Sequence, residues 1–417
     1  MTANARPALE GVKILDLTRV LAGPWCTQLL ADFGADVVKI ETPDGGDDTR
    51  AWGPPELPPE PDGGAGASAY FLSCNRNKRS VAINLAKPEG AALVRRLAAE
   101  ADVVIENFKR GGLAKFGLDY PSICATHPGV VYCSITGFGQ NGPYADRPGY
   151  DFVIQAMGGM MSITGEQDGP PLKPGVALAD LVTGMYAAVS VLIALRHAER
   201  TGHGQYIDCS LLDTQIAMLA NQAVNFLVSG TSPGRLGNAH PNIVPYRVFD
   251  AGDGPIVIAV GNNGQFASLC ATLGLPELAA DPRYDSNARR VRNRITLEAA
   301  LQARIKERTA AELIERLAST GVPAGPVNTI GQIFADPFVA ARGAVHYFER
   351  PDGVKVPSVA FPGKLSVTPA QFALAPPRLG EHTAAVLAEW LSLEAGTLAA
   401  LQQRGVIADA ASTADHA

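Results

Sequence analysis

The sequence predicts an α/β protein whose large domain is a Rossmann-like parallel sheet. Short apolar segments alternate with helical segments through the first third of the chain, which is typical of parallel strands joined by right-handed crossovers. The chain has 417 residues, 47% of them hydrophobic and 18% charged, as in well-buried globular proteins that divide into more than one domain. Its 43 glycines and 31 prolines indicate many short connections.

The predicted strands of this sheet are apolar runs bounded by turn residues. They are Val12–Leu17, Asp36–Glu41, Ser80–Leu85, Asp102–Glu106 and Val130–Ser134. Helices are predicted between them at Trp25–Phe33 and Pro88–Ala101, each with a proline next to or at its first turn. The segment from Pro43 to Gly66 is rich in glycine and proline and predicts a long loop.

A change in composition at Ser229–Asn242, rich in Gly, Pro and Ser, predicts a linker. Residues 1–228 are therefore assigned to the large domain, 229–334 to a smaller α+β domain and 335–417 to a C-terminal part that returns to the large domain. The smaller domain contains a hairpin signal around Ala251–Gly254 and a helical stretch from Arg289 to Leu317.

Several classes of function are disfavoured. A net charge of −6 argues against general nucleic-acid binding. The six cysteines are scattered without a C-x-x-C pair, which predicts reduced thiols in a cytoplasmic protein and no metal site. The first residues lack the apolar core of a signal peptide, and no run approaches ~18 apolar residues, so no membrane association is expected. Leu21-Ala-Gly-Pro24 stands where G-x-G-x-x-G would mark a dinucleotide site, so no bound NAD or FAD is expected.

Two basic clusters follow predicted strands. Arg76, Lys78 and Arg79 flank the start of one strand, and Lys109 and Arg110 follow another. Both clusters are consistent with a polyphosphate site at one edge of a parallel sheet. They are equally consistent with solvated basic turns.

One carboxylate stands out in the stretch Lys173–Gly184, which precedes the apolar run Met185–Leu195. Asp180 occupies the position of a helix N-cap, and the run behind it, apolar all round, predicts a buried helix. The helix dipole and free amides would keep this carboxylate ionised, as a nucleophile requires. From the residues alone, a plain helix cap and a nucleophile both remain open.

Several motifs, taken in order, narrow this choice. They are Ala22-Gly-Pro24, Asp32-Phe-Gly-Ala-Asp-Val-Val-Lys-Ile-Glu41, Asn77-Lys-Arg-Ser80, Glu106-Asn-Phe108, Asp180-Leu-Val-Thr-Gly184 and Leu379-Gly-Glu-His-Thr383. In this order and spacing the chain resembles the class III CoA-transferases over nearly its whole length. The resemblance implies an interlocked homodimer, coenzyme A and acyl-CoA as substrates with a small organic acid, and no permanently bound cofactor.

The resemblance also implies roles for individual residues. Asp180 is the acyl-accepting nucleophile, which forms mixed-anhydride and aspartyl-CoA thioester intermediates. A glycine loop containing Gly261, Gly264 and Gln265 covers it, and Tyr150 forms a wall of the acyl pocket. The positions implied for coenzyme A are Leu21, Ala22, Arg79, Ile83, Asn84, Leu85, Asn107, Phe108, Lys115, Arg147, Tyr150 and Asp151.

Alternatives come from the same superfamily and from another class. The α-methylacyl-CoA racemases require a histidine where this chain has Tyr150, and an unperturbed phenol is a poor base for their reaction. A non-catalytic CoA-binding protein would lack the paired Asp180 and glycine loop. For the substrates, Leu21 replaces the glutamine of oxalate-specific relatives. The segments around His240 and Arg290–Arg294 resemble succinyl-CoA:dicarboxylate members. We therefore expect succinyl-CoA as donor and a C4–C6 dicarboxylate as acceptor, with Arg50, Arg79 or Arg292 as candidate partners for the second carboxylate.

Overall fold

The computed structural model describes residues 6–59 and 66–410. Contacts group the chain into two compact units. Unit 1 comprises Met1–Gly159, Pro174–Ala220 and Ala340–Ala417, and unit 2 comprises Met160–Lys173 and Asn221–Val339. The predicted absence of a signal sequence falls on the first five residues, and part of the predicted loop Pro43–Gly66 falls on residues 60–65. Both lie outside the described residues.

The strands, in chain order, are β1 (Lys13–Leu17), β2 (Asp36–Glu41), β3 (Lys78–Ile83), β4 (Val103–Glu106), β5 (Val131–Thr136), β6 (Tyr206–Ser210), β7 (Tyr246–Asp250), β8 (Pro255–Ala259), β9 (Ala324–Pro326), β10 (Val345–Glu349), β11 (Lys355–Val359) and β12 (Ile407–Ala408). The α-helices are α1 (Ala22–Ala31), α2 (Ala69–Leu72), α3 (Pro88–Glu100), α4 (Tyr120–Cys124), α5 (Asp151–Met157), α6 (Met160–Ile163), α7 (Leu178–Thr201), α8 (Leu211–Met218), α9 (Ala220–Ser229), α10 (Asn263–Leu273), α11 (Pro276–Ala280), α12 (Asn287–Arg292), α13 (Arg294–Ile305), α14 (Ala310–Ser319), α15 (Ile330–Ala335), α16 (Pro337–Arg342), α17 (Thr383–Leu391) and α18 (Ala395–Gln403).

Unit 1 is built on a sheet with the order β12-β3-β2-β1-β4-β5-β6. Strands β1 to β6 pair in parallel, and β12 adds to β3 in the antiparallel direction. The order 3-2-1-4-5-6 is that of a Rossmann fold, in which the chain reverses its direction of winding between β1 and β4. The predicted mixed α/β fold with a mostly parallel sheet is therefore confirmed.

Both faces of this sheet are covered, as parallel sheets require. On one face, α1 and α7 contribute Cys26, Leu30, Ala187 and Val191 to a cluster with strand residues such as Ile105. On the other face, α3, α17 and α18 supply a second cluster that contains Leu97, Leu387 and Leu401. The strands are buried on both sides, and besides apolar residues they carry buried charged side chains such as Asp16, Lys39 and Lys78.

Unit 2 has its own core. An antiparallel sheet of order β7-β8-β9 includes the predicted hairpin, in which Phe249 pairs with Ile256. Helices α10, α13 and α14 supply apolar residues such as Leu269, Leu301 and Leu313 to the same cluster.

Two predicted helical stretches are divided in the structure. The segment from Leu211 to Val228, whose sequence predicts a single helix, forms α8 and most of α9, and the break between them coincides with Ala220 at φ 45°. The predicted stretch from Arg289 to Leu317 contains parts of α12 and α14 and all of α13. Helical periodicity alone did not locate these ends, because the apolar pattern continues across each break.

Candidate active site at the start of helix α7

The structure corrects the predicted position of Asp180 in its helix. Helix α7 begins at Leu178, and its N-cap residue, Ala177, makes no side-chain cap hydrogen bond. The cap is supplied from α5 instead. Oδ1 of Asp151 accepts hydrogen bonds from the backbone N–H of Ala179 at 2.8 Å and of Asp180 at 3.3 Å. Asp180 lies within the first turn, so its own carboxylate is not used as the cap.

The structure also corrects the predicted ionisation of Asp180. Only 9% of this residue is exposed. Burial, and secondly the negative charge of Asp151, raise the pKa of the Asp180 carboxyl to about 7. The dipole of α7 favours the charged form, but desolvation is the larger effect. A carboxyl with this pKa is divided between its acid and carboxylate forms near neutral pH, and its carboxylate is more basic than that of an exposed aspartate.

Helix α7 is packed on one side against α1. A Cβ atom placed on Gly184 would lie 2.6 Å from the carbonyl oxygen of Ala22 and 3.2 Å from Cβ of Trp25. Only glycine permits this close approach of the two helices. Residues four apart share a face of a helix, so Asp180 lies on the same face as Gly184, one turn nearer the start of α7.

The other side of α7 is not buried within the chain, which corrects the prediction of a helix buried all round. Its exposed residues are Met185, Tyr186, Val189, Leu192 and Ile193. By length and composition α7 is also apolar enough to cross a membrane, so the prediction that no run approaches that length was wrong. A core helix of a globular protein passes the same test, and the packing of α7 against α1 is of that kind.

The structure brings four predicted CoA-site residues to adjacent strand ends. Leu21 and Ala22 follow β1, and Asn107 and Phe108 follow β4, which pairs with β1 in parallel. The backbone of Arg19 and the side chain of Asn107 exchange two hydrogen bonds, of 3.0 and 2.7 Å. This is the point at which the strand order reverses, where open α/β sheets bind ligands.

The basic cluster at the start of β3, formed by Arg76, Lys78 and Arg79, is not an open phosphate site. Arg76 is 3% exposed and its guanidinium pairs with Asp32 at 2.5 Å. Lys78 is fully buried, with Nζ 3.2 Å from Asp16. Arg79 pairs with Asp36 and, at 2.6 Å, with Glu389. Both interpretations left open for Arg76 and Lys78, a phosphate site and a solvated turn, are therefore wrong. The predicted CoA contact of Arg79 competes with two ion pairs.

Of the arginines considered for the second carboxylate, Arg50 forms two hydrogen bonds to Glu41, of 2.8 and 2.7 Å. Arg292 is exposed in unit 2. The contacts of Arg50 and Arg79 therefore argue against both as free partners for a substrate carboxylate.

The remaining predicted CoA positions are spread over unit 1. Ile83 is buried at the end of β3, and Asn84 and Leu85, which follow it, are half-buried. Lys115 is exposed and lies over the ring of Phe116, and exposed Arg147 lies 4.1 Å from the ring centroid of Tyr144. Tyr150 is 65% exposed and immediately precedes α5. Their roles stay predictions.

The predicted glycine loop belongs to unit 2 and is shorter than expected. Helix α10 begins at Asn263, so Gly264 and Gln265 lie in its first turn. The side chain of Asn262 accepts from the N–H of Gln265 at 2.9 Å, and Oε1 of Gln265 accepts from the N–H of Gly261 at 2.8 Å. These bonds order the segment locally, and its catalytic role stays a prediction.

Tyr70, which senses the charge of Asp180, and Trp52, which packs against Tyr70, were missed from the sequence. Burial, and next the negative charge of Asp180, raise the pKa of the Tyr70 phenol to about 12, which places Tyr70 in the electrostatic environment of the carboxylate. Trp52, 43% exposed, packs edge-on against Tyr70 at 5.2 Å. Both lie in the Gly/Pro-rich connection between β2 and β3 or at its end, where no periodic pattern indicates which side chains turn inward.

Among the residues that the structure describes, no group of three or more His, Cys, Asp or Glu side chains is arranged to hold a metal ion. The prediction that the chain uses no metal rests on the sequence pattern.

Comparison with known proteins identifies the family of this chain. The model of the family described as "CoA-transferase family III" matches residues 9–383. The chain is 52% identical to succinate–glutarate CoA-transferase of Agrobacterium fabrum over 94% of this chain and 98% of that one. It is 44% identical to human succinyl-CoA:glutarate CoA-transferase over 97% and 90% of the two chains. The crystal structure of a CAIB/BAIF family protein from Brucella suis superimposes with a TM-score of 0.82 at 51% identity, covering 92% of this chain and all of that one.

The succinyl-CoA-dependent relatives act on dicarboxylates, and the match to the family spans both units. With the Rossmann strand order and the buried carboxylate at the start of α7, these similarities show that the chain belongs to CoA-transferase family III.

Proposed function

We propose that this enzyme moves coenzyme A from succinyl-CoA to a C4–C6 dicarboxylic acid, with Asp180 as the covalent nucleophile. The observation that carries the proposal is the carboxyl of Asp180, buried in the first turn of α7 with its pKa raised to about 7. Desolvation makes the carboxylate more nucleophilic, while enough of it is ionised at neutral pH to react. The named activities of the relatives from Agrobacterium fabrum and human support succinyl-CoA and glutarate as the substrate class.

The reaction begins when a carboxylate oxygen of Asp180 attacks the thioester carbonyl of succinyl-CoA. The C–S bond breaks, and the products are a succinyl–aspartyl anhydride and CoA thiolate. The thiolate then attacks the aspartyl carbonyl, which releases succinate and leaves an aspartyl-CoA thioester. No proton is gained or lost overall in these two steps.

The second half of the reaction repeats this exchange with the acceptor. A carboxylate of the acceptor attacks the aspartyl-CoA thioester, forms a second anhydride and expels CoA thiolate. The thiolate attacks the acyl carbonyl of the acceptor, so the new acyl-CoA leaves and the carboxylate of Asp180 is regenerated. Asp151 holds the first turn of α7 throughout, through the N–H groups of Ala179 and Asp180.

Anhydrides and thioesters hydrolyse in water, so the reaction requires a covered site. In this proposal Gly261, Gly264 and Gln265 provide the cover, Tyr150 lines the acyl pocket, and coenzyme A lies along the ends of β1, β3 and β4. Leu21, Ala22 and Phe108 are the proposed contacts at the ends of β1 and β4, where Leu21 and Ala22 are largely buried. Their assignment to the CoA site is supported by the reversal of strand order between β1 and β4.

We also propose an interlocked homodimer located in the cytoplasm, with domain boundaries near residues 228 and 334. The exposed apolar side of α7, from Met185 to Ile193, supports a second copy as the covering surface. Sedimentation at several protein concentrations tests the dimer.

A panel of acids assayed with succinyl-CoA tests the proposed function. Transfer to glutarate and other C4–C6 dicarboxylates, with little transfer to monocarboxylates of the same length, is the expected result. In the same assay Asp180→Asn is expected to lose turnover, whereas the exposed control Asp44→Asn keeps it. Acceptance of monocarboxylates alone contradicts the substrate class, and turnover by Asp180→Asn contradicts the mechanism.

A further inference from the structure

A short turn at the reversal point of the sheet has an uncommon backbone conformation. Thr18, Arg19 and Val20 connect β1 to Leu21, the residue that precedes α1; these three residues are called the switch-point turn below. Val20 has φ 72°. For a β-branched residue this left-handed conformation is an outlier, because its Cβ substituents crowd the backbone. Surrounding contacts must therefore maintain it.

Those contacts come from side chains of four other segments. Oδ1 of Asp16 accepts from the N–H of Thr18 at 2.9 Å, and Nζ of Lys39 donates to the carbonyl of Thr18 at 2.7 Å. Asp47 accepts from the N–H of Val20 at 3.2 Å through Oδ1, and its Oδ2 binds Lys39 at 2.8 Å.

The backbone of the middle residue, Arg19, is held by Asn107, while its guanidinium pairs with Asp48 at 3.1 Å. Oδ1 of Asn107 accepts from the N–H of Arg19, and Nδ2 donates to the carbonyl of Arg19. Both polar atoms of the amide are thus directed at the protein backbone. The amide therefore orders the turn through both of its polar atoms, each of which keeps one further hydrogen-bonding site.

The position of the switch-point turn gives it a consequence for binding. It sets the direction in which the chain enters α1, whose first N–H groups have no partners within the helix. Ala22 begins α1, and its carbonyl oxygen lies against Gly184, one turn from Asp180. A change in the turn therefore alters the start of α1 beside the carboxylate.

We infer that Asn107 is a positioning residue that binds coenzyme A indirectly, by holding the strained switch-point turn so that Leu21 and Ala22 face the CoA thioester. The inference rests on the proposed function and deepens it. It differs from the role suggested by family resemblance, in which Asn107 is one of the CoA-binding positions.

The test is a rescue experiment with the full-length enzyme, using succinyl-CoA and glutarate. Asn107→Ala removes both hydrogen bonds to Arg19 and is expected to raise KM for succinyl-CoA about tenfold, with KM for glutarate within about twofold of wild type. Val20→Gly adopts φ 72° without strain. In the Asn107→Ala background it is expected to bring KM for succinyl-CoA back to within about threefold of wild type.

A matched control lies in unit 2. Asn287 makes the same pair of contacts, accepting from the N–H of Val244 at 3.2 Å and donating to the carbonyl of Asn242 at 2.7 Å. Asn287→Ala should lower thermal stability about as much as Asn107→Ala and leave KM for succinyl-CoA unchanged. An equal rise in KM for both variants would show a general loss of structure and overturn the inference.

The rescue separates a positioning role from direct contact. If Asn107 touched coenzyme A, a glycine at position 20 could not restore the lost contact, and the double variant would stay as impaired as Asn107→Ala. That result, or a wild-type KM in Asn107→Ala, overturns the inference. Calorimetric titration with CoA is run in parallel. If the wild-type enzyme transfers no CoA, the proposed function is refuted instead. The CoA affinities of the wild type and the variants would then still test whether Asn107 acts through the switch-point turn.

Discussion

The buried carboxyl of Asp180 should reduce the stability of the protein at the pH where the enzyme works. Folding moves its pKa from 3.8 to about 7, and each pKa unit corresponds to about 1.4 kcal/mol. The raised pKa means that the folded state favours the protonated acid. The resulting decrease in the free energy of unfolding is small below pH 4, grows as pH rises and is complete above pH 7.

Asp180→Asn replaces this group by a neutral one of the same shape. Its advantage in free energy of unfolding over wild type should therefore rise from about 2 kcal/mol at pH 5 to about 4 kcal/mol at pH 8. Urea denaturation of both proteins across this range, at one protein concentration, measures the difference.

The control is Asp44→Asn, in which the aspartate is exposed. It should change the free energy of unfolding by less than about 0.5 kcal/mol at either pH. An Asp180→Asn variant that is no more stable than wild type at pH 8, or whose advantage does not grow with pH, would refute the reasoning that burial dominates at this site.

Three further outcomes follow from the same geometry. The kcat/KM of the wild type should rise with pH and level off above about 7, because Asp180 must be ionised to attack. Asp151→Asn keeps an oxygen for the N–H of Ala179 but removes the negative charge, so this rise should move to lower pH; an unmoved profile would exclude Asp151 as a cause of the raised pKa. Gly184→Ala should lower the free energy of unfolding by about 1–3 kcal/mol, because the new Cβ atom would lie 2.6 Å from the carbonyl of Ala22. Gly396→Ala, in α18 with open space around the site, should be neutral or stabilising by up to about 1 kcal/mol in the same denaturation assay, and equal losses in the two variants would contradict this account.

The parallel sheet could be predicted from the sequence because each strand carries its own signal. Runs such as Asp36–Glu41 and Val130–Ser134 are short, apolar and bounded by turns or helices, and a parallel sheet buried on both faces produces that pattern. The ends of the helices were harder to predict from the sequence. The break between α8 and α9 depends on the backbone conformation of Ala220, which no pattern in its neighbours indicates.

The environment of Asp180 could not be predicted from its local sequence. Its position suggested a cap and a low pKa, but Asp151, 29 residues earlier, supplies the cap and adds a like charge. The fold brings these two carboxyls together through the packing of α5 and α7. A carboxyl's pKa depends on such distant partners and on burial, so the local pattern could not indicate the ionisation of Asp180, and its role as nucleophile stays a prediction.

The basic cluster at the start of β3 shows the same limitation. Arg76, Lys78 and Arg79 look alike as charges in the sequence, yet each has acidic partners far away in the chain: Asp32, Asp16, and Asp36 with Glu389. Whether a cation faces a ligand or a buried carboxylate is decided by strand order, which places β3 beside β2 and close to β1.

The most direct test of the central claim is chemical capture of the acyl-enzyme. Wild-type enzyme is incubated with succinyl-CoA, treated with hydroxylamine or borohydride, digested and examined by peptide mass spectrometry, with succinate alone as the control. The account predicts a hydroxamate, or the corresponding alcohol, on the side chain of Asp180 only when succinyl-CoA is present. An unmodified Asp180 peptide from an enzyme that is turning over under the same conditions would contradict it.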